Sequence, residues 1–155
     1  MTLYQHSVET PIGWLRVHAE GGAIVRLDWT DSRDPNESDD PLLTAAAEQI
    51  SAYFAGVLKD FDLPLAPAGT AHDRAVWREM QAIGYGATRS YGDIARAIGS
   101  APRAVGGACG RNPIPVIIPC HRILTSDGKI GGYSGSGGRS TKHHLLALEG
   151  CMIAL

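Results

Sequence analysis
The hydrophobic period of this chain changes once, and the change divides it in two. Up to Trp29 apolar and polar residues alternate, in Leu3 to Val8, Trp14 to Ala19 and Ala23 to Trp29. Pro11, Gly13, Gly21 and Gly22 punctuate these runs, a pattern that predicts an antiparallel meander. After an acidic loop, Asp31 to Asp40, the stretch from Pro41 to Phe54 carries Leu43, Ala46, Ala47, Ile50 and Phe54 at helical spacing, which suits a helix lying on one face of that sheet. Phe61 to Leu65 adds a short edge strand, and Ala66-Pro67-Ala68-Gly69 is the linker. Beyond it the texture is helical. Val76, Met80 and Ile83 mark a helix stopped by Gly84, and Ser90 to Ile98 mark a second, ended by Gly99. Ser100 caps a third that has Pro102 in its first turn and runs through Cys109. Two short helices joined by a glycine-containing turn make either a helix-turn-helix or a plain helical hairpin. The last helix, Ser140 to Glu149, puts Leu145 and Leu148 on one side and ends at Gly150. The predicted class is α/β: a small antiparallel-sheet-plus-helix domain over residues 1–66, then a mainly helical domain over residues 70–155.

The same division appears in the charge. Up to Gly69 there are four basic residues against eleven acidic ones, a net −7, whereas from Thr70 onward ten basic residues meet five acidic ones, a net +5. The overall −2 hides an arginine-rich half suited to a polyanion beside an acidic scaffold. At 155 residues the chain can bury a real core. No apolar run approaches the roughly 20 residues a membrane span needs. The first residues lack the order of a signal peptide, so a cytoplasmic protein is expected, with no membrane partner. Cys109, Cys120 and Cys151 are odd in number and form no Cys-x-x-Cys pair, which argues against a disulfide framework or a zinc ribbon. In a reducing compartment one of them can be a nucleophile. Cys109 and Cys151 read better as small buried hydrophobes.

Cys120 stands apart because His121 follows it. A thiol attacks only as thiolate, and an ordinary cysteine is mostly protonated at neutral pH, so an adjacent base is what the chemistry needs. In a regular strand the two side chains would point apart. The turn at Pro119 must bring them together, through a water if not directly.

Pro119-Cys120-His121-Arg122 after a branched apolar run, with Asn112-Pro113 before it and Tyr133-Ser134-Gly135 after it, resembles the O6-alkylguanine-DNA alkyltransferases. The resemblance spans the second half, taking in Ser90-Tyr91, Arg103-Ala104-Val105-Gly106-Gly107, and Leu146 with Glu149-Gly150. It implies repair of DNA by irreversible transfer of an alkyl group from O6 of guanine to Cys120, each molecule acting once. In that reading His121 is the base, Glu149 orients the imidazole, Asn112 braces the turn and Tyr91 faces the departing base. Ser134 and the Tyr133 backbone cover the guanine oxygen. Arg103, Ala104, Gly106, Gly107 and Arg111 contact substrate or DNA, with Arg103 filling the stack around a flipped nucleotide. The implied partner is double-stranded DNA carrying an alkylated guanine, entered from the minor groove by a monomer without cofactor or metal. The stretch from Tyr91 to Arg103 is about two residues shorter than in typical members, which bears on how deeply the recognition helix sits in a groove. Two rivals use parts of the same set: a damage-binding module of the alkyltransferase-like kind, against which Cys120 speaks, and a cysteine hydrolase, which leaves Arg103 and Tyr91 without a purpose.

Overall fold
In the computed structural model residues 3–33 and 36–151 are described, and the chain divides into two compact units, Met1–Ala68 and Gly69–Leu155. Asp34 and Pro35 of the acidic loop lie outside the described residues.

In the first unit β1 (Leu3–Thr10), β2 (Gly13–Glu20) and β3 (Ala23–Thr30) form an antiparallel sheet in sequence order. The turn between β2 and β3 is Gly21-Gly22, both at positive φ (60° and 79°), the backbone that a two-residue hairpin demands. Alternation puts Leu15 and Val17 on the buried face, with Val17 opposite Leu27. Helix α1 (Pro41–Phe54) covers that face with Leu43, Ala46, Ile50 and Tyr53, spaced for one side of a helix. Asp40 caps it by accepting from the Leu42 amide at 2.9 Å. The edge strand expected over Phe61 to Leu65 is reduced to one bridge, where Ile24 donates to the Pro64 carbonyl and Ala66 donates to Ile24, each at 2.8 Å. Pro64 and Pro67 have no N–H, so the ladder cannot grow past that pair.

The second unit begins at α2 (Ala71–Gln81), whose Thr70 and Asp73 form a reciprocal capping box. This helix ends earlier than expected. Its last cap is Ala82, not a stop at Gly84, and Ile83 lies beyond the helix yet is buried. A second capping box, Ser90 with Asp93, opens α3 (Tyr91–Ile98), and Gly99 ends it in the left-handed region at φ 67°. Helix α4 (Pro102–Gly110) starts one residue later than the expected Ser100 cap: Ala101 holds the capping position and makes no side-chain bond. Pro102 explains this, because it forces the residue before it into extended backbone and is itself preorganised for a first helical turn. Ser100 pairs instead with His72, at 2.8 Å. Both α2 and α3 pack on α4.

Between α4 and α5 (Arg139–Leu148) the chain is mostly irregular. It contains a 3-10 turn, Cys120–Arg122, and a two-residue parallel pairing of β4 (Arg89–Ser90) with β5 (Ile123–Leu124). The inner face of α5 is Thr141, Lys142, Leu145 and Leu146, so Leu146, not the expected Leu148, partners Leu145 in the core. No helix of the described residues is long and apolar enough to cross a membrane.

Candidate active site
The site is built on a turn that regular structure could not make. Asn112 is buried and ties the turn from both ends: its side-chain amide donates to the Ile118 carbonyl at 2.8 Å, and its side-chain oxygen accepts from the Ile114 amide at 2.9 Å. Between them Val116 is held at φ 74°, an uncommon place for a β-branched residue, at a cost on the order of 1–3 kcal/mol. Burial of Ile114, Val116 and Ile118 supplies the opposing stabilisation. The strained bend leads into Pro119, after which the 3-10 turn carries Cys120 and His121 on one tight loop of backbone.

His121 is completely buried, and its Nε2 donates to Glu149 Oε2 at 2.8 Å. A carboxylate only accepts, so the proton sits on Nε2 and the lone pair on Nδ1. Nδ1 is buried and has no partner among the described residues. Burial lowers the pKa of His121, partly opposed by the Glu149 hydrogen bond and charge. The neighbouring Arg122 neutralises the carboxylate: its Nε and Nη2 donate to the two Glu149 oxygens at 2.8 and 3.0 Å, and its Nη1 donates to the Ile83 carbonyl at 2.7 Å. A buried carboxylate shared by an imidazole and a bidentate arginine stays ionised, and both donors become fixed in orientation.

Cys120 is 6% exposed and opens on a cavity of about 190 Å³ lined by Tyr91, Gly106, Cys109, Gly110, Gly132, Tyr133 and Ser134. Burial raises its thiol pKa, while a hydrogen bond from Asn112 and the positive charge of Lys142 pull it back. Tyr91, pushed up to about 12 chiefly by burial, stays a phenol. A second hollow, of about 480 Å³ and mostly apolar, shares Tyr91 and Gly106 with the first and reaches Arg103, Pro102, Thr125 and Ser126. The structure therefore gathers Cys120, Tyr91, Gly106, Tyr133 and Ser134 at one cavity, with Asn112, His121 and Glu149 buried behind it. Arg103 and Ala104 are exposed in the first turn of α4. Arg111, expected to contact substrate or DNA, pairs with the buried Asp73, donating from Nη2 and Nε at 2.7 and 3.1 Å, while more than half of its side chain stays exposed. Its guanidinium also lies against Gly107.

Residues 71–151 match the family described as 6-O-methylguanine DNA methyltransferase, DNA binding domain, and residues 3–67 match its ribonuclease-like domain. The chain belongs to the O6-methylguanine DNA methyltransferase family. A methylated-DNA-protein-cysteine methyltransferase of Mycolicibacterium paratuberculosis is 43% identical over 92% of this chain and 90% of its own. One of Methanosarcina acetivorans is 40% identical, over 96% and 99% respectively. Among solved structures, the Mycobacterium tuberculosis OGT in complex with DNA superposes with a TM-score of 0.83 at 41% identity, covering 94% of this chain and 92% of that one.

Two residues of this methyltransferase-family site escaped the sequence reading. Arg122 sits beside His121 but declares its role only through Glu149, 27 residues away. Lys142 is fully buried, and its ammonium donates to the Ile123 carbonyl at 2.6 Å and the Gly132 carbonyl at 3.1 Å, tying the cysteine-bearing segment to the loop that walls the cavity. Burial lowers its pKa to about 8. The available signal was its register: Lys142, Leu145 and Leu146 share a helical face, and a lysine on an apolar stripe is seldom idle.

Proposed function
We propose that this protein repairs DNA by direct reversal, moving a methyl or other alkyl group from O6 of guanine, or O4 of thymine, to Cys120. The observation that carries the reading is the buried pair His121–Glu149, with one imidazole nitrogen left open, directly after a cysteine that lines a cavity of nucleobase scale. A water between the thiol and Nδ1 of His121 accepts the Cys120 proton as it passes its own to the imidazole. Glu149 stabilises the resulting imidazolium. The thiolate sulfur then attacks the alkyl carbon, the S–C bond forming as the C–O bond breaks, and the electron pair leaves with the base.

Tyr91 remains protonated and donates a hydrogen bond to the departing base, and Ser134 with the Tyr133 backbone covers the oxygen. The target carbon is inaccessible within a duplex, so the nucleotide must be extruded into the cavity, with Arg103 filling the gap from the minor groove. The protein acts as a monomer in the cytoplasm, a reducing compartment that keeps Cys109, Cys120 and Cys151 as free thiols. A thioether does not hydrolyse under these conditions, so each molecule works once. The test is incubation with a duplex oligonucleotide containing O6-methylguanine, followed by intact-protein and peptide mass spectrometry. One methyl per molecule on Cys120 supports the reading; binding without transfer, or repeated turnover, overturns it.

A further inference from the structure
Helix α4 does more than present Arg103. The residues it contributes to the cavity wall are Gly106, Cys109 and Gly110, whose spacing puts them on one helical face. Two of these have no side chain, so Cys109 supplies the only side chain by which α4 meets the cavity. It is 8% exposed, and burial, reinforced by the charge of Cys120, pushes its thiol up to about 12. This part of the wall is therefore small, neutral and polarizable. It does not compete with Cys120 for the alkyl group.

We propose that this face of α4 is the gauge for alkyl size, with Cys109 setting the largest group accepted beside Cys120. The inference rests on the alkyl-transfer reading above and adds a specificity-determining residue to it. The cavity, about 190 Å³, must take both a base and its alkyl substituent. Interiors are packed closely enough that an added methylene is felt. Of the other walls, Tyr91 faces the base in that reading and Gly132 is held by Lys142 through its carbonyl. Building a side chain onto Gly110 meets nothing within 4 Å, so that position has room on the protein side.

The experiment is a competition. Limiting protein is offered equal amounts of one duplex sequence carrying O6-methylguanine or O6-benzylguanine, and mass spectrometry reads the ratio of benzyl to methyl on Cys120. Cys109→Leu should lower that ratio about tenfold, the scale at which a hydrophobic pocket discriminates by small differences in bulk. Cys109→Ala should hold or raise it. Gly110→Ala, which favours the helix, should lower it in the same direction and decides the matter if the leucine variant fails to fold. Because both substrates share one DNA context, changes in DNA binding or nucleotide flipping cancel from the ratio. A ratio unchanged in both Cys109→Leu and Gly110→Ala overturns the gauge. Failure of the unaltered protein to take either group overturns the underlying reading instead.

Discussion

The meander β1–β3 and the irregular stretch of residues 111–124 both bury branched apolar side chains, but they are specified differently. In the meander Leu15, Val17 and Leu27 are buried because alternation on a paired sheet, broken only by the irregularity at His18/Ala19, puts them on one face. In the irregular stretch no period exists. Every residue from Ile114 to Cys120 is buried, and the backbone is held by Asn112, by a strained Val116 and by a 3-10 turn. A pattern-coded region tolerates change in proportion to volume. A region coded by single hydrogen bonds concentrates its vulnerability, and its chemistry, at a few atoms.

The sharpest way to break that comparison is Cys120→Ser, which changes one atom. Transfer should disappear while thermal stability and binding to methylated duplex persist, as read by mass spectrometry, melting and gel shift. Demethylation by the variant, or methyl mapped to Cys109 or Cys151, would falsify the assignment of the acceptor. In the unaltered protein the raised thiol pKa of Cys120 means little thiolate at neutral pH. Fewer protons bound favours attack, so the single-turnover rate should climb as pH rises through the thiol's titration.

Next in size is Glu149→Gln, which leaves His121 without its acceptor charge and Arg122 as an uncompensated buried cation. Loss of general-base assistance should slow transfer by about 100-fold. Breaking the buried pair should cost roughly 3 kcal/mol in denaturant unfolding. DNA binding should fall far less, and parallel losses in binding and transfer would show that Glu149 only closes α5.

These two sites also mark how far the sequence could be read. The strands, α1 and the Gly99 stop are local signals, each written within a few residues. Cys120, His121 and Glu149 were legible through a family resemblance, and the bond between His121 and Glu149 is visible only in the fold. What escaped is long-range. The pairing of Arg111 with Asp73, 38 residues earlier, is announced by no local pattern. Ser100 looks like a cap until Pro102 shifts the helix start. Lys142 looks like a surface residue until two carbonyls from separate segments converge on it.

A smaller effect is expected of Arg103→Ala, since the side chain is exposed and makes no part of the buried relay. An arginine that replaces an extruded base offsets part of an unstacking cost of a few kcal/mol, so its loss should slow repair of duplex DNA by about tenfold. Reaction with free O6-benzylguanine, which needs no flipping, should be spared. A simple phosphate contact would instead weaken binding to all DNA and lower the salt slope by about one. Equal slowing on duplex and free base would end the intercalation reading.

The smallest effect is a difference between two identical substitutions, Val17→Gly in β2 and Val116→Gly in the active-site turn. Both valines are almost fully buried, at 0% and 1% exposed, so the lost apolar burial is comparable, about 1.5–3 kcal/mol each. Both changes also add the backbone freedom of glycine to the unfolded chain, at about 0.5–1 kcal/mol. The backbone separates them. Val17 sits in a regular strand, whereas Val116 is at φ 74°, where glycine is at ease and a β-branched residue is not. Relief of that strain should make Val116→Gly the milder change by about 1–3 kcal/mol in urea unfolding. Equal losses would mean that the bend at Val116 stores no strain and that Asn112 alone shapes the turn. A milder loss accompanied by slower transfer would mean that the strain is used: it holds the bend that delivers Cys120 to the cavity, and relaxing it stabilises the fold at the expense of the site.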